Sequence, residues 1–126
     1  MPQDDFTPES IDRLREFDCH IWRYSPSLSR LLLRFLRGDA VDGESHFVVF
    51  VSVEYFVGPV AWKGDELSFG TRQEIINLVA GNQTGYYHRQ SDGTDLPSTL
   101  RLYLFGNTAK ILCHGAHLFT RPIEDF

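Results

Sequence analysis

At 126 residues the chain has room for one domain with its own core, and an apolar fraction of 42% with 13% aromatic residues excludes an intrinsically disordered chain. The formal net charge of −5 argues against nucleic acid as a partner, because binding phosphates needs clustered Lys and Arg. The acidity lies after Gly38: residues 1–37 carry six basic and six acidic side chains, the remainder six and eleven.

Residues 1–5 are expected to be disordered, in a single domain spanning 1–126. Thr7-Pro8-Glu9 then supplies an N-cap, a proline at the first helical position and an acid in the first turn. These predict a short helix through Ile11 and Leu14 to about Glu16, its narrow apolar stripe set against a sheet edge.

Two readings compete for FDCHIWRYSPSLSRLLLRFLRG. A helix from Ser25-Pro26 to Gly38 would align Leu28, Leu31, Leu32, Phe35 and Leu36 opposite Arg30, Arg34 and Arg37. A hairpin would pair His20–Tyr24 with Arg30–Arg37 and put Leu31, Leu33 and Phe35 on one face. Periodicity favours the helix, but Cys19–Tyr24 is rich in strand formers and needs a sheet neighbour, so we adopt the hairpin. The arginine row is read as a solvated face.

HFVVFVSVEYFV, His46 to Val57, is read as one long strand with Phe47, Val49, Val51, Val53, Tyr55 and Val57 on one face and Val48, Phe50, Ser52, Glu54 and Phe56 on the other. Gly58-Pro59 ends it. VAWKGDELSFG is read as a short hairpin around Lys63-Gly64-Asp65. Thr71 and Glu74 form a capping box for a helix over 71–80, closed by Gly81. Asn82 to Pro97 is a long polar connection. Thr99–Phe105 alternates with Leu100, Leu102 and Leu104 inward, and Gly106-Asn107 turns it back through Ala109–His114.

The fold class that follows is α+β: mainly an antiparallel sheet of about five or six strands, with the helix over 71–80 packed on a face and a short N-terminal helix. A strand apolar on both sides needs two covers, from helices, further strands or a partner chain. A homodimer or a protein partner is therefore expected.

Chemistry-bearing motifs are sparse. Cys113-His114 with His117 and Cys19-His20 invite a metal reading, but neighbours on a strand face opposite ways, so only a set such as Cys19, Cys113 and His117 converges. Without CxxC or HxxxH spacing, no metal and no cofactor is expected, and the two cysteines are read as reduced, buried hydrophobes. Ser91–Asp95 resembles a calcium loop but lacks the glutamate at loop position twelve, so it is read as a turn. Nucleophile elbows and glycine-rich phosphate loops are absent. Glu54 is read as the polar side of a half-exposed strand, with Ser52 beside it; under a covered face it would need a partner.

Surplus aromatics carry the candidate binding surface: Trp22, Tyr24, Trp62, Tyr86 and Tyr87, with His88 and Arg89 beside them. The competing reading puts both tryptophans in the core. No segment has the length of a membrane helix, and the start lacks the order of a secretory signal, which points to the cytoplasm and away from membranes.

The order FDCHIWRYSP, LLLRF, a long apolar strand and VGPVAWKG resembles small β-rich bacterial proteins of unknown role, through Phe17, Asp18, Tyr24, Gly58, Pro59 and Trp62 over about half the length. It is also similar to β-rich immunity proteins of bacterial toxin systems. The resemblance implies a bacterial, cytosolic, non-catalytic domain; net charge, surplus aromatics and missing catalytic motifs point to a protein-interaction module, an immunity-like inhibitor whose acidic surface meets a basic partner. The alternative is a small-molecule binder or hydrolase using Glu54, His88 or His114 in a sheet-lined pocket.

Overall fold

A computed structural model describes residues 4–27, 29–38, 43–82 and 99–119. Among these the fold is α+β, built on two antiparallel sheets. The first holds β1 (Asp4–Asp5), β10 (Gly115–Phe119), β4 (Glu44–Val51), β3 (Arg30–Arg37), β2 (Asp18–Ser25) and β6 (Ala61–Lys63), in that order. The second holds β5 (Tyr55–Val57), β9 (Ala109–Cys113), β8 (Arg101–Phe105) and β7 (Leu67–Phe69). Their inner faces meet in one core. Leu33, Phe35, Val48 and Phe50 from the first sheet pack with Tyr103, Phe105, Ile111 and Cys113 from the second. Phe50 meets Tyr103 edge-on at 5.2 Å between ring centroids.

The hairpin reading of residues 18–37 holds. β2 and β3 pair from Asp18 opposite Leu36 to Ser25 opposite Arg30, with a bulge between Ile21 and Arg23. The leucine run is not a helix because both of its faces are wanted: Leu31, Leu33 and Phe35 enter the main core, while Leu32 joins Phe47 and Val49 in a buried cluster on the opposite face.

The sequence placed one strand over His46–Val57; the structure breaks it. Ser52 takes a left-handed backbone with φ 51°, after which the chain leaves the first sheet and enters the second as β5. The predicted faces are right through Val51. Beyond the break, Val53 and Phe56 pack on the main core, while Tyr55 packs beneath the second helix.

The hairpin proposed around Lys63-Gly64-Asp65 is also corrected. β6 pairs with β2, β7 pairs with β8, and a 3₁₀ turn, Gly64–Glu66, crosses between the sheets. Gly64 suits that crossing: a Cβ there would lie 3.0 Å from the carbonyl oxygens of both Leu14 and Phe17. Of residues 1–5, for which disorder is expected, Asp4–Asp5 pairs with β10 and residues 1–3 lie outside the described ones.

The first helix, α1 (Pro8–Leu14), is N-capped by Thr7, buries Ile11 and Leu14, and packs against β7 at the edge of the second sheet. The second, α2 (Arg72–Asn82), starts from the predicted capping box. The Glu74 amide donates to Thr71 Oγ1 at 3.1 Å and the Thr71 amide to Glu74 Oε1 at 2.8 Å. It runs past Gly81, which was expected to close it. Ile75, Leu78 and Val79 cover Leu100, Leu102 and Leu112 on the outer face of the second sheet. The leucines of β8 thus face the helix, and Tyr103 and Phe105 face the main core. No described helix is long and apolar enough to cross a membrane.

Candidate functional site

Two corners of the sandwich lie side by side and build the most developed site. At one, β4 gives way to β5 through Ser52-Val53-Glu54; at the other, β9 gives way to β10 at His114. Backbone hydrogen bonds lace them together: the His114 amide donates to the Val51 carbonyl at 3.1 Å and the Glu54 amide to the Leu112 carbonyl at 2.8 Å. The turn between β2 and β3 is tied in as well, since the Val53 amide donates to the Ser29 carbonyl at 2.8 Å. Ser29 (φ 52°) and Ser52 (φ 51°) are the two non-glycine residues with positive φ among those described, and both lie in this junction. Such backbone costs energy and persists only where its surroundings impose it.

The junction borders a half-open cavity of about 360 Å³, lined among the described residues by Ile21, Tyr24, Leu31, Val53, Glu54, Tyr55 and Phe56. Glu54 is half-buried and is hydrogen-bonded to His114, Nε2 to Oε2, at 3.3 Å. The other ring nitrogen, Nδ1, meets Thr99 Oγ1 at 2.9 Å. The set is satisfied when the Thr99 hydroxyl donates to Nδ1 and Nε2–H donates to the carboxylate. Glu54 is therefore no free polar residue on a strand face: it occupies a corner and has a partner. Hydroxyl, imidazole and carboxylate in a row are also the parts of a nucleophile relay. Of the three, Glu54 is among the described residues lining the cavity and Thr99 and His114 are not; Thr99 is exposed at the far end of the row.

Beside the cavity runs an apolar strip. Trp22 is 41% exposed, Tyr24 57%, Val57 46% and Val60 73%; these are four of the five large hydrophobics left in water among the described residues. They flank the free edge of β2: β6 pairs with β2 through His20 and Ala61, the Ile21 amide donates to the Val60 carbonyl at 2.9 Å, and Tyr24, opposite Leu31, lies on the other face of β2 from Trp22. β6 stops there, so Trp22 to Ser25 of β2 form an open sheet edge among the described residues. The bulge after Ile21 sets Trp22 on the outer face, edge-on to Phe47 at 5.9 Å, with the Arg34 guanidinium 5.0 Å from the indole centroid. Arg34 is held by Ser45 Oγ at 3.0 Å, which fixes the stack. Burial, then Arg34, lowers the pKa of His20 beside it, and Asp18 opposes them.

Of the predicted binding residues, then, Trp22 and Tyr24 are both exposed, on opposite faces of β2, while Trp62 belongs to the core. Trp62 is buried between Phe56 and Phe105, and its Nε1 has no acceptor among the described residues. Tyr86, Tyr87, His88 and Arg89 lie outside the described residues, as does Ser91–Asp95. Sequence reasoning missed Thr99 altogether, and its position before a strand carried no signal. Within the arginine row, Arg34 stacks on Trp22, and Arg37 lies over the Phe17 ring and pairs with Glu44.

Among the described residues no three of His, Cys, Asp and Glu gather as metal ligands. Cys19 and Cys113 are free and buried. Burial raises the Cys19 pKa well above its ordinary value and pushes Cys113 up to about 12, against a hydrogen bond to Gly115 and the charge of Arg101.

Comparison with protein-family models, curated proteins and solved structures finds no match to this chain.

Proposed function

We propose that the chain is a non-catalytic protein-interaction module, of the kind the immunity-type resemblance implies, whose contact surface is the strip formed by Trp22, Tyr24, Val57 and Val60. The observation that carries this reading is the concentration of exposed hydrophobics on the two segments flanking one open sheet edge. Scattered apolar residues are ordinary; exposed hydrophobics gathered along one free strand edge, with an aromatic side chain on each of its faces, are what a contact surface uses. The net charge of −5 favours a basic partner. A second copy of the chain is the weaker candidate, because Leu32, Phe47 and Val49 on the outer face of the first sheet are already buried in a single chain.

The test is affinity capture from the native host with the wild type beside a Tyr24→Ser/Val60→Asp variant, both residues being exposed enough to change without touching the core. The expected result is one stoichiometric basic protein held by the wild type and lost by the variant. Equal recovery by both overturns the reading, and so does the absence of any stoichiometric partner. Light scattering that shows a dimer dissociated by the same variant would assign the strip to self-association instead.

A second reading, a small-molecule binder, is favoured by the cavity at the corners, which has a positioned carboxylate in its wall.

A further inference from the structure

We infer that the corner cavity is a binding site for an organic cation, an alkylammonium or guanidinium group carried on a short apolar stem. The inference rests on the cavity and the small-molecule reading, and shares only Tyr24 with the exposed strip.

The lining selects the charge. Among the described residues Glu54 is the one carboxylate in the wall, and the others are aliphatic, Ile21, Leu31 and Val53, or aromatic, Tyr24, Tyr55 and Phe56. A carboxylate in such a wall attracts a cation at short range, and aromatic faces add to the attraction. Among the described residues no cationic side chain lines the cavity. Arg23 and Arg30 are near in sequence, but each is one residue out of phase with Tyr24 or Leu31 and so on the opposite face of its strand. No described lining residue carries a positive charge to compensate an anion.

The site is also built before a ligand arrives. His114 holds Oε2 of Glu54, and no described residue takes up Oε1. The two left-handed serines and the bond from the Val53 amide to the Ser29 carbonyl fix the cavity's frame. Such preorganisation spares a ligand the cost of ordering its site. At about 360 Å³ the cavity is small for a ligand site and suits a stem of a few carbons, such as a small free amine or a basic side chain of another protein.

The experiment titrates isotope-labelled protein with butylammonium and butylguanidinium, following amide and aromatic resonances, with 1-pentanol and pentanoate as neutral and anionic counterparts. Saturable shifts at Tyr24, Glu54 and Phe56 are expected with the cations and not with the counterparts. Glu54→Gln should weaken cation binding roughly ten-fold, the scale of losing one charge-assisted contact. Tyr24→Ala, which alters an exposed ring and spares the core, should weaken it by a smaller factor, and it keeps the test open if Glu54→Gln proves misfolded. A lysine-containing tripeptide distinguishes the sources: tighter binding than butylammonium assigns the site to a protein side chain, and equal or weaker binding to a free small cation. The inference is overturned if no cation saturates, if pentanol binds as well, or if the folded Glu54→Gln protein binds undiminished. Partner capture through the strip would be unaffected by that failure.

Discussion

Ser52 decides where the most apolar run of the chain changes sheets, and it does so by its backbone more than by its side chain. An exposed residue at φ 51° makes little packing contribution, so its substitutions report on conformation. Ser52→Gly should be at least as stable as the wild type, while Ser52→Val, β-branched in a left-handed position, should lose about 1–3 kcal/mol. Urea unfolding of the pair checks this; equal stability would show that the corner does not need the left-handed turn. Glu44 offers a second test at this scale. Its hydrogen bond to His46 holds the carboxyl below its ordinary value of 4.5, with burial opposing and Arg37 assisting. A carboxyl depressed in the folded state stabilises above its unfolded value, and that contribution fades as pH falls through the folded value. Glu44→Gln should therefore be slightly less stable than the wild type at neutral and alkaline pH and lose less as the pH falls, so that the two profiles converge on the acid side, as thermal melts across pH would register.

Local signals with a specific partner were legible at the scale of elements, whereas long-range choices were not. The box at Thr71 and Glu74 names its own hydrogen bonds, and both are present. Thr71→Ala should cost about 1 kcal/mol, detected as a lowered unfolding midpoint, because the exposed threonine otherwise packs on little. The hairpin of Arg101–Phe105 and Ala109–Cys113 was equally plain, since its turn and alternation agree. The run from His46 to Val57 misled because alternation continues numerically through Ser52 and Glu54 even though the sheet does not. A polar pair inside an apolar run reads either as a wet face or as a corner, and only the partner strands decide. β6 and β7 failed for a related reason: each finds its neighbour far away in sequence, at Cys19 and Leu104, and not in the other. Of the corner site, Glu54 and His114 were visible as isolated candidates. Their meeting depends on two sheet crossings sixty residues apart, and no local pattern encodes that.

The whole molecule is a sandwich whose core is shared by both sheets, and its two cysteines probe whether that core opens as a unit. Cys19 sits in β2 of the first sheet and Cys113 in β9 of the second, yet both belong to the same buried cluster. Burial raises both thiols, so at a mildly alkaline pH neither supplies the thiolate that alkylating reagents require. Native protein at about pH 8 should therefore resist iodoacetamide, and denatured protein should take up a label at each position. The informative regime lies between these limits, at denaturant concentrations below the unfolding transition. If the sheets separate only on global unfolding, Cys19 and Cys113 will label at one common rate that follows the unfolded fraction. If the second sheet can detach with α2 while the first stays intact, Cys113 will label ahead of Cys19. The side chains bridging the sheets, Phe50 with Tyr103 and Trp62 with Phe105, argue for the common rate, because neither sheet can move without exposing large rings of both. Mass spectrometry of the separated peptides reads the two rates directly, and a lead for Cys113 would show that the sandwich consists of two cooperative units.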